Sequence, residues 1–177
     1  GDAVAVIGYL DQGGKGIIQG SLDSGAFDTF ILSDGMIGDS LTDTFGKSLN
    51  KSFGSLPGST GKGAGVFAKV AGKAGIDPSG PYTGESYDAA ALIVLAMQAG
   101  GSADRSSIAK NVMAVANAPG KKIYPGQLKK ALDLLAKGQD VDYEGATGVI
   151  FTDVGEHVGS FLEKEIKGGK FKTKKQR

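Results

Sequence analysis

The sequence predicts an α/β protein built on a parallel sheet. Two observations carry this. Val-Ala-Val at 4–6 and Phe-Ile-Leu at 30–32 are short, unalternated apolar runs, the pattern of strands buried on both faces. Each is followed by a glycine-rich turn and then a segment with helical apolar spacing, and strand, helix, strand, helix in succession is the βαβ pattern.

Taken in order, residues 2–9 form the first strand and residues 11–24 a helix. Ile17, Ile18 and Leu22 lie on its inner side, and Gly25 stands where a left-handed cap belongs. Residues 29–33 are the second strand, 34–39 a glycine-rich turn and 40–49 the second helix. Residues 52–65 include Gly54, Pro57, Gly58, Gly61 and Gly63 and read as a loop. A short helix is expected over 66–74 and a turn-rich connector over 77–82. Residues 85–99 give the clearest helix: Tyr87, Ala91, Leu92, Leu95 and Met97 form a broad apolar face, and Gly100 and Gly101 end it. A further helix over 102–116 turns Ile108, Val112 and Val115 inward. Another runs from Tyr-Pro-Gly at 124–126 to Ala136 and stops at Gly138. Residues 141–166 read as short strands.

Composition narrows the chemistry. Glycine fills 30 of 177 positions, without the triplet period of collagen. There is no cysteine, hence no disulfide, thiolate nucleophile or cysteine zinc site, and the single histidine, His157, argues against most zinc hydrolase centres. Twenty Lys and Arg against 19 Asp and Glu leave +1, so there is no overall basic footprint for nucleic acid. The charge is uneven: residues 164–177 carry seven cations and Glu165, which leaves residues 1–163 at −5. No apolar run approaches the roughly 18 residues of a membrane helix, so no membrane insertion is expected.

Several motifs invite a function. Gly-Asp-Ser-Leu at 38–41 spells the signature of GDSL hydrolases, with Ser40 as nucleophile and His157 as the one available base, Asp153 four residues before it. The family's Asp and His, three apart, and its Gly-x-Asn-Asp block are missing, and a helix N-cap role for Ser40 fits better. Gly-Ser-Thr-Gly-Lys-Gly at 58–63 suggests a phosphate loop, but Leu56 stands where the first glycine belongs, Gly63 where Ser or Thr belongs, and no strand is expected before it. The basic stretch 170–177 suits an RNA- or membrane-binding tail, with a solvated, disordered end as the plainer expectation. Tyr9 and Asp34 are of more interest. Both follow buried strands at the carboxyl edge of the sheet, where ligands of open α/β folds bind. A carboxylate there can pair with a ligand ammonium, and an aromatic ring can cover an aliphatic side chain.

The stretches ESYDAAALIVLAMQAGGSA (85–103), VANAPG (115–120), YPGQLKKALDLLAKGQDVDYEGATG (124–148) and EIKGGKF (165–171) resemble the branched-chain amino acid binding proteins of bacterial ABC importers, the Leu/Ile/Val type of the type I periplasmic group. VIGYLDQGGKGIIQGSLDSG (6–25) and FILSDGM (30–36) are similar to the same family's second lobe, in the right order. The resemblance implies a two-lobed protein about twice this length, of which this chain is an incomplete C-terminal portion. It implies a lobe of the parallel βαβ type over 1–83, crossover helices over 84–120 that pack on an absent amino-terminal lobe or a second chain, a return segment over 121–171, and a disordered basic tail over 172–177. It further implies amino-acid capture without catalysis and without cofactor or metal, delivery to an ABC permease, and a periplasmic or lipid-anchored extracytoplasmic location whose signal peptide lies outside this chain. A ligand-sensing receptor domain of the same fold is the alternative. Carried over residue by residue, Tyr9 is the aromatic after the first strand and Asp34 the acid that holds the α-amino group. Met36 stands where aliphatic binders carry Glu, and Glu85 near the crossover is a further candidate.

Overall fold

The computed structural model describes residues 1–59 and 61–177. The chain divides into two compact units, residues 1–58 with 160–177, and residues 59–159. The divisions fall at 58/59 and 159/160.

The first unit is an α/β layer on a five-stranded sheet of order β1-β2-β3-β6-β7. β1 (Val4–Val6), β2 (Phe30–Leu32) and β3 (Phe53–Gly58) run parallel, and β6 (Ser160–Ile166) and β7 (Phe171–Gln176) are antiparallel additions. Helices α1 (Lys15–Ser24) and α2 (Asp39–Phe45) make the crossovers. Val6, Phe30, Leu32 and Leu56 from the strands pack with Ile18 of α1, Leu41 of α2 and Ile166 of β6 in one core. Only one side of each parallel strand is covered within this unit: Ile31 and Phe53, on the other side, are exposed. α1 ends as its glycine predicts. Gly25 is left-handed, and the N–H groups of Gly25 and Ala26 reach back to the carbonyls of Leu22 and Ser21.

The expected loop at 52–65 is in part a strand. β3 alternates Gly54, Leu56 and Gly58 inward with Phe53, Ser55 and Pro57 outward, a period of two that its glycines disguise. Gly54 is there because a Cβ would run into the Leu32 carbonyl of β2. Pro57 is tolerated because β2 pairs no further than Gly54, and because Phe161, opposite Pro57, turns both its N–H and its carbonyl to Arg177. The expected disordered tail is also a strand. Gly168 and Gly169 are both left-handed, and the N–H of Lys167 bonds to the Lys170 carbonyl at 3.0 Å, so the chain turns tightly and β7 pairs with β6.

The second unit contains α3 (Gly61–Lys73), α4 (Thr83–Gly100), α5 (Arg105–Ala116) and the βαβ element β4 (Lys121–Ile123), α6 (Leu128–Leu135), β5 (Val141–Tyr143), whose two strands are parallel. α3 begins at Gly61 and not at residue 66. Glycine is required at position 63, where a Cβ would collide with the Gly145 carbonyl. Ala91, Leu92, Leu95 and Ala96 of α4 pack with Val115 of α5 and with Ile123, Ala131, Val141 and Tyr143. The other side of α4 is also apolar but exposed, with Ile93 at 48% and Val94 at 44%. Among the described residues no helix is long and apolar enough to cross a membrane.

Gly54→Ala is expected to lower the stability of the first unit by about 1–3 kcal/mol, since the added methyl must displace backbone of the neighbouring strand. Denaturant unfolding checks this, and a cost near zero would contradict the close approach.

Candidate functional site

The carboxyl edge of the parallel strands brings two of the anticipated residues together. Ser33 ties the ends of β1 and β2: its N–H bonds to the Val6 carbonyl at 3.1 Å, and its hydroxyl accepts the Gly8 N–H at 3.2 Å. After β1 the Tyr9 carbonyl accepts the N–H groups of Gln12 and Gly14, which folds residues 10–14 into a tight turn before α1. After β2, Asp34–Met36 form one turn of 3-10 helix, in which the Asp34 carboxylate accepts the Gly35 N–H at 2.7 Å. A Cβ on Gly35 would lie 2.5 Å from the Gly8 carbonyl oxygen and 2.8 Å from Cδ1 of Tyr9. The Tyr9 ring therefore rests on the Gly35 backbone, beside Asp34.

Tyr9 is 62% exposed, and Asp34 is exposed as well. Among the described residues no Lys or Arg pairs with Asp34, and Lys15 is held by Asp11 at 2.9 Å. The result is an accessible carboxylate whose one side-chain bond among the described residues is to its own turn, next to an accessible aromatic ring. Such a pair can take an ammonium group and cover the carbon skeleton attached to it.

The other two anticipated residues are placed elsewhere. Met36 is fully buried, with its thioether beneath Gly14, where a Cβ would overlap Sδ. It belongs to the core and does not reach the edge. Its position where aliphatic binders carry Glu is taken up by packing. Glu85 lies half-buried in the first turn of α4, in the second unit.

The hydrolase and phosphate motifs dissolve into local structure. Ser40 is not the N-cap of α2; Gly38 holds that position and Ser40 is an exposed first-turn residue. Nδ1 of His157 lies 3.2 Å from the Ile150 carbonyl in an exposed turn, engaged by backbone and not by a carboxylate. The phosphate-loop motif does follow a strand, against expectation, but its Thr60 lies outside the described residues. Lys62 sits 4.4 Å over the Tyr124 ring. No group of three or more metal-ligating side chains occurs among the described residues.

Sequence reading missed the most heavily bonded side chain. Asp88, on α4, is 3% exposed. Its carboxylate accepts the Tyr143 hydroxyl (2.8 Å), the N–H groups of Ala146 (2.8 and 2.9 Å) and Thr147 (2.8 Å), and the Thr147 hydroxyl (2.8 Å). It thus ties α4 to β5 and the turn after it. Burial first, and the Asp88 charge second, push the Tyr143 phenol far above its ordinary range, so it stays protonated and donating. A signal was available: Asp88 interrupts the stripe formed by Ala91, Leu92, Leu95 and Ala96, at i−3 and i−4 from its first members.

The architecture is the type 1 periplasmic binding protein fold. The chain aligns over 99% of its length with a leucine-binding protein from Thermotoga maritima (TM-score 0.68, 19% identity, 44% of that chain) and over 98% with a type 1 periplasmic binding protein from Bordetella pertussis (TM-score 0.57, 17% identity, 46% of that chain). In sequence it is 34% identical over 98 residues to the chemotactic signal transduction system substrate-binding protein BasB of Halobacterium salinarum, across 55% of this chain. The chain spans 24% of the length of that relative. No family model matches the sequence. All three similar proteins are named for binding, none for catalysis.

Two outcomes test the Asp88 network. Asp88→Ala leaves buried donors at Tyr143, Ala146 and Thr147 unpaired and is expected to cost about 3 kcal/mol or more in a thermal or denaturant melt. Because folding raises the Tyr143 pKa above its unfolded value, the folded state holds that proton more tightly. Its stabilising effect is complete below about pH 10 and declines as pH rises beyond it. Tyr143→Phe is expected to flatten this alkaline decline, and an unchanged profile would argue against it.

Proposed function

We propose that this chain is the carboxyl-terminal portion of an extracytoplasmic two-lobed binding protein that captures an amino acid, branched-chain or aliphatic, and delivers it to an ABC permease. The observation that carries the reading is the exposed Asp34 carboxylate beside the Tyr9 ring at the carboxyl edge of the sheet, free of any ion pair among the described residues. In this reading Asp34 takes the ligand's α-ammonium and Tyr9 lies along its side chain. The facing lobe supplies donors for the α-carboxylate. Closure removes water from the charge pair, which strengthens it. The exposed apolar side of α4, with Ile93 and Val94, fits a helix that packs on the amino-terminal half of the protein.

A second reading has support of its own. BasB is named as part of a chemotactic signalling system, so the same capture can feed a receptor instead of a permease. Genes for a permease and ATPase, as against a transducer, beside the coding sequence separate the two.

Leaving one partner of a desolvated charge pair alone costs about 3–5 kcal/mol. Asp34→Ala in the full-length protein is therefore expected to weaken amino-acid binding by roughly two orders of magnitude or more. Titration calorimetry measures this. Unchanged affinity would remove Asp34 from the site. The 177-residue chain by itself is expected to bind far more weakly than the whole, and a tight complex would contradict the two-lobed reading.

A further inference from the structure

We propose that the β6–β7 hairpin is a docking surface for an anionic lipid bilayer. Residues 163–177 carry seven cations against two carboxylates, Glu163 and Glu165. Six of the cations, Lys167, Lys170, Lys172, Lys174, Lys175 and Arg177, are exposed. Lys174 and Arg177 both pair with Glu163, at 3.2 and 3.3 Å. Lys167, Lys170, Lys172 and Lys175 have no ion pair among the described residues.

These charges stand on ordered backbone. The tight turn at 167–170 is held by its own hydrogen bond, and the Gly169 N–H bonds to the Asn50 side chain at 2.9 Å. β7 is the last strand of the five-stranded sheet and is bonded along β6. At about 3.3 Å per residue its six residues span roughly 20 Å, with one bulge in the pairing, and carry Lys172, Lys174 and Lys175 between Lys170 and Arg177. A row of lysines along an outer strand meets a plane of negative headgroups, and each cation near such a surface adds to binding. Nucleic acid fits less well. Of the hairpin's two aromatic residues, Phe171 is half-buried against the core; Phe161 of β6 is exposed but is a single ring where strand binders stack successive bases, and the cations line an edge instead of a groove. Unlike a disordered basic tail, this hairpin meets the surface without losing further backbone freedom. The proposal is independent of ligand capture at Asp34.

Co-sedimentation with vesicles tests it. The chain is expected to pellet with vesicles of equimolar phosphatidylglycerol and phosphatidylcholine and not with phosphatidylcholine alone. Binding should fall steeply as salt rises from about 0.1 to 0.5 M. Lys170→Gln/Lys172→Gln/Lys175→Gln should weaken vesicle binding at least about tenfold. Removing three cations from the second unit, Lys69→Gln/Lys73→Gln/Lys110→Gln, should leave it unchanged. If the hairpin triple variant does not fold, each single substitution should still give a drop of about threefold to fivefold. Equal binding to neutral vesicles, equal loss in the two triple variants, or binding to a DNA oligonucleotide without binding to anionic vesicles would each overturn the proposal.

Discussion

The contact on which the first unit's edge depends is the approach of Gly35 to the Gly8 carbonyl and the Tyr9 ring. No side chain fits between these backbones, so the turns that follow β1 and β2 must meet main chain against main chain. Ser33 fixes the same junction from beside it, with its backbone bonded to Val6 and its hydroxyl to Gly8. Two exposed side chains, Tyr9 and Asp34, are placed by a scaffold that is itself buried or internally bonded. That is the arrangement a binding edge needs, because groups held in position lose little further freedom when a ligand arrives. A second glycine serves the fold beneath it: Gly14, the last residue before α1, leaves room for the Met36 thioether.

The second unit rests on a different device. Ala91, Leu92, Leu95 and Ala96 bury the inner face of α4 through contacts that carry no bond direction. Asp88 adds contacts that do. Four donors, one of them shared between both oxygens, converge on one carboxylate, and each has a fixed direction. A buried carboxylate without a cation is costly unless its oxygens are fully bonded, and here they are. Gly145 belongs to the same solution, because a Cβ there would strike the Asp88 carboxyl group.

The α/β class, the order of the first strands and helices, and the position of Tyr9 and Asp34 after neighbouring strands were legible because they rest on local signals. Apolar runs mark buried strands, and glycine after a helix marks its end. What was hidden was set by contacts distant in sequence. β3 looked like a loop because Gly54 and Gly58, which weaken a strand taken alone, are demanded by Leu32 and Leu162. β7 looked like a loose tail because its charges dominate, while the two glycines before it fix a turn. Met36 carried the right address in the chain, but the direction of its side chain is decided by Gly14, more than twenty residues away. The Asp88 signal was present in the helix pattern, and its partners lie more than fifty residues further on.

The chain leaves the first unit at Gly58 and re-enters it at Ser160, whose hydroxyl bonds back to the Gly58 carbonyl across 102 positions. The second unit is thus an insertion between two neighbouring strands, and this sets an order on biosynthesis. While β3 emerges from the ribosome, the strand that will cover its open side has not been made. The inserted residues are contiguous and appear first, so their folding can draw the two ends of the insertion together. That shortens the free loop that β6 must close when it arrives, and with it the entropy of closure. The sheet of the first unit is then completed by residues made after the insertion, so a ribosome that stalls before residue 160 leaves β3 as an unguarded edge, open to pairing with another chain.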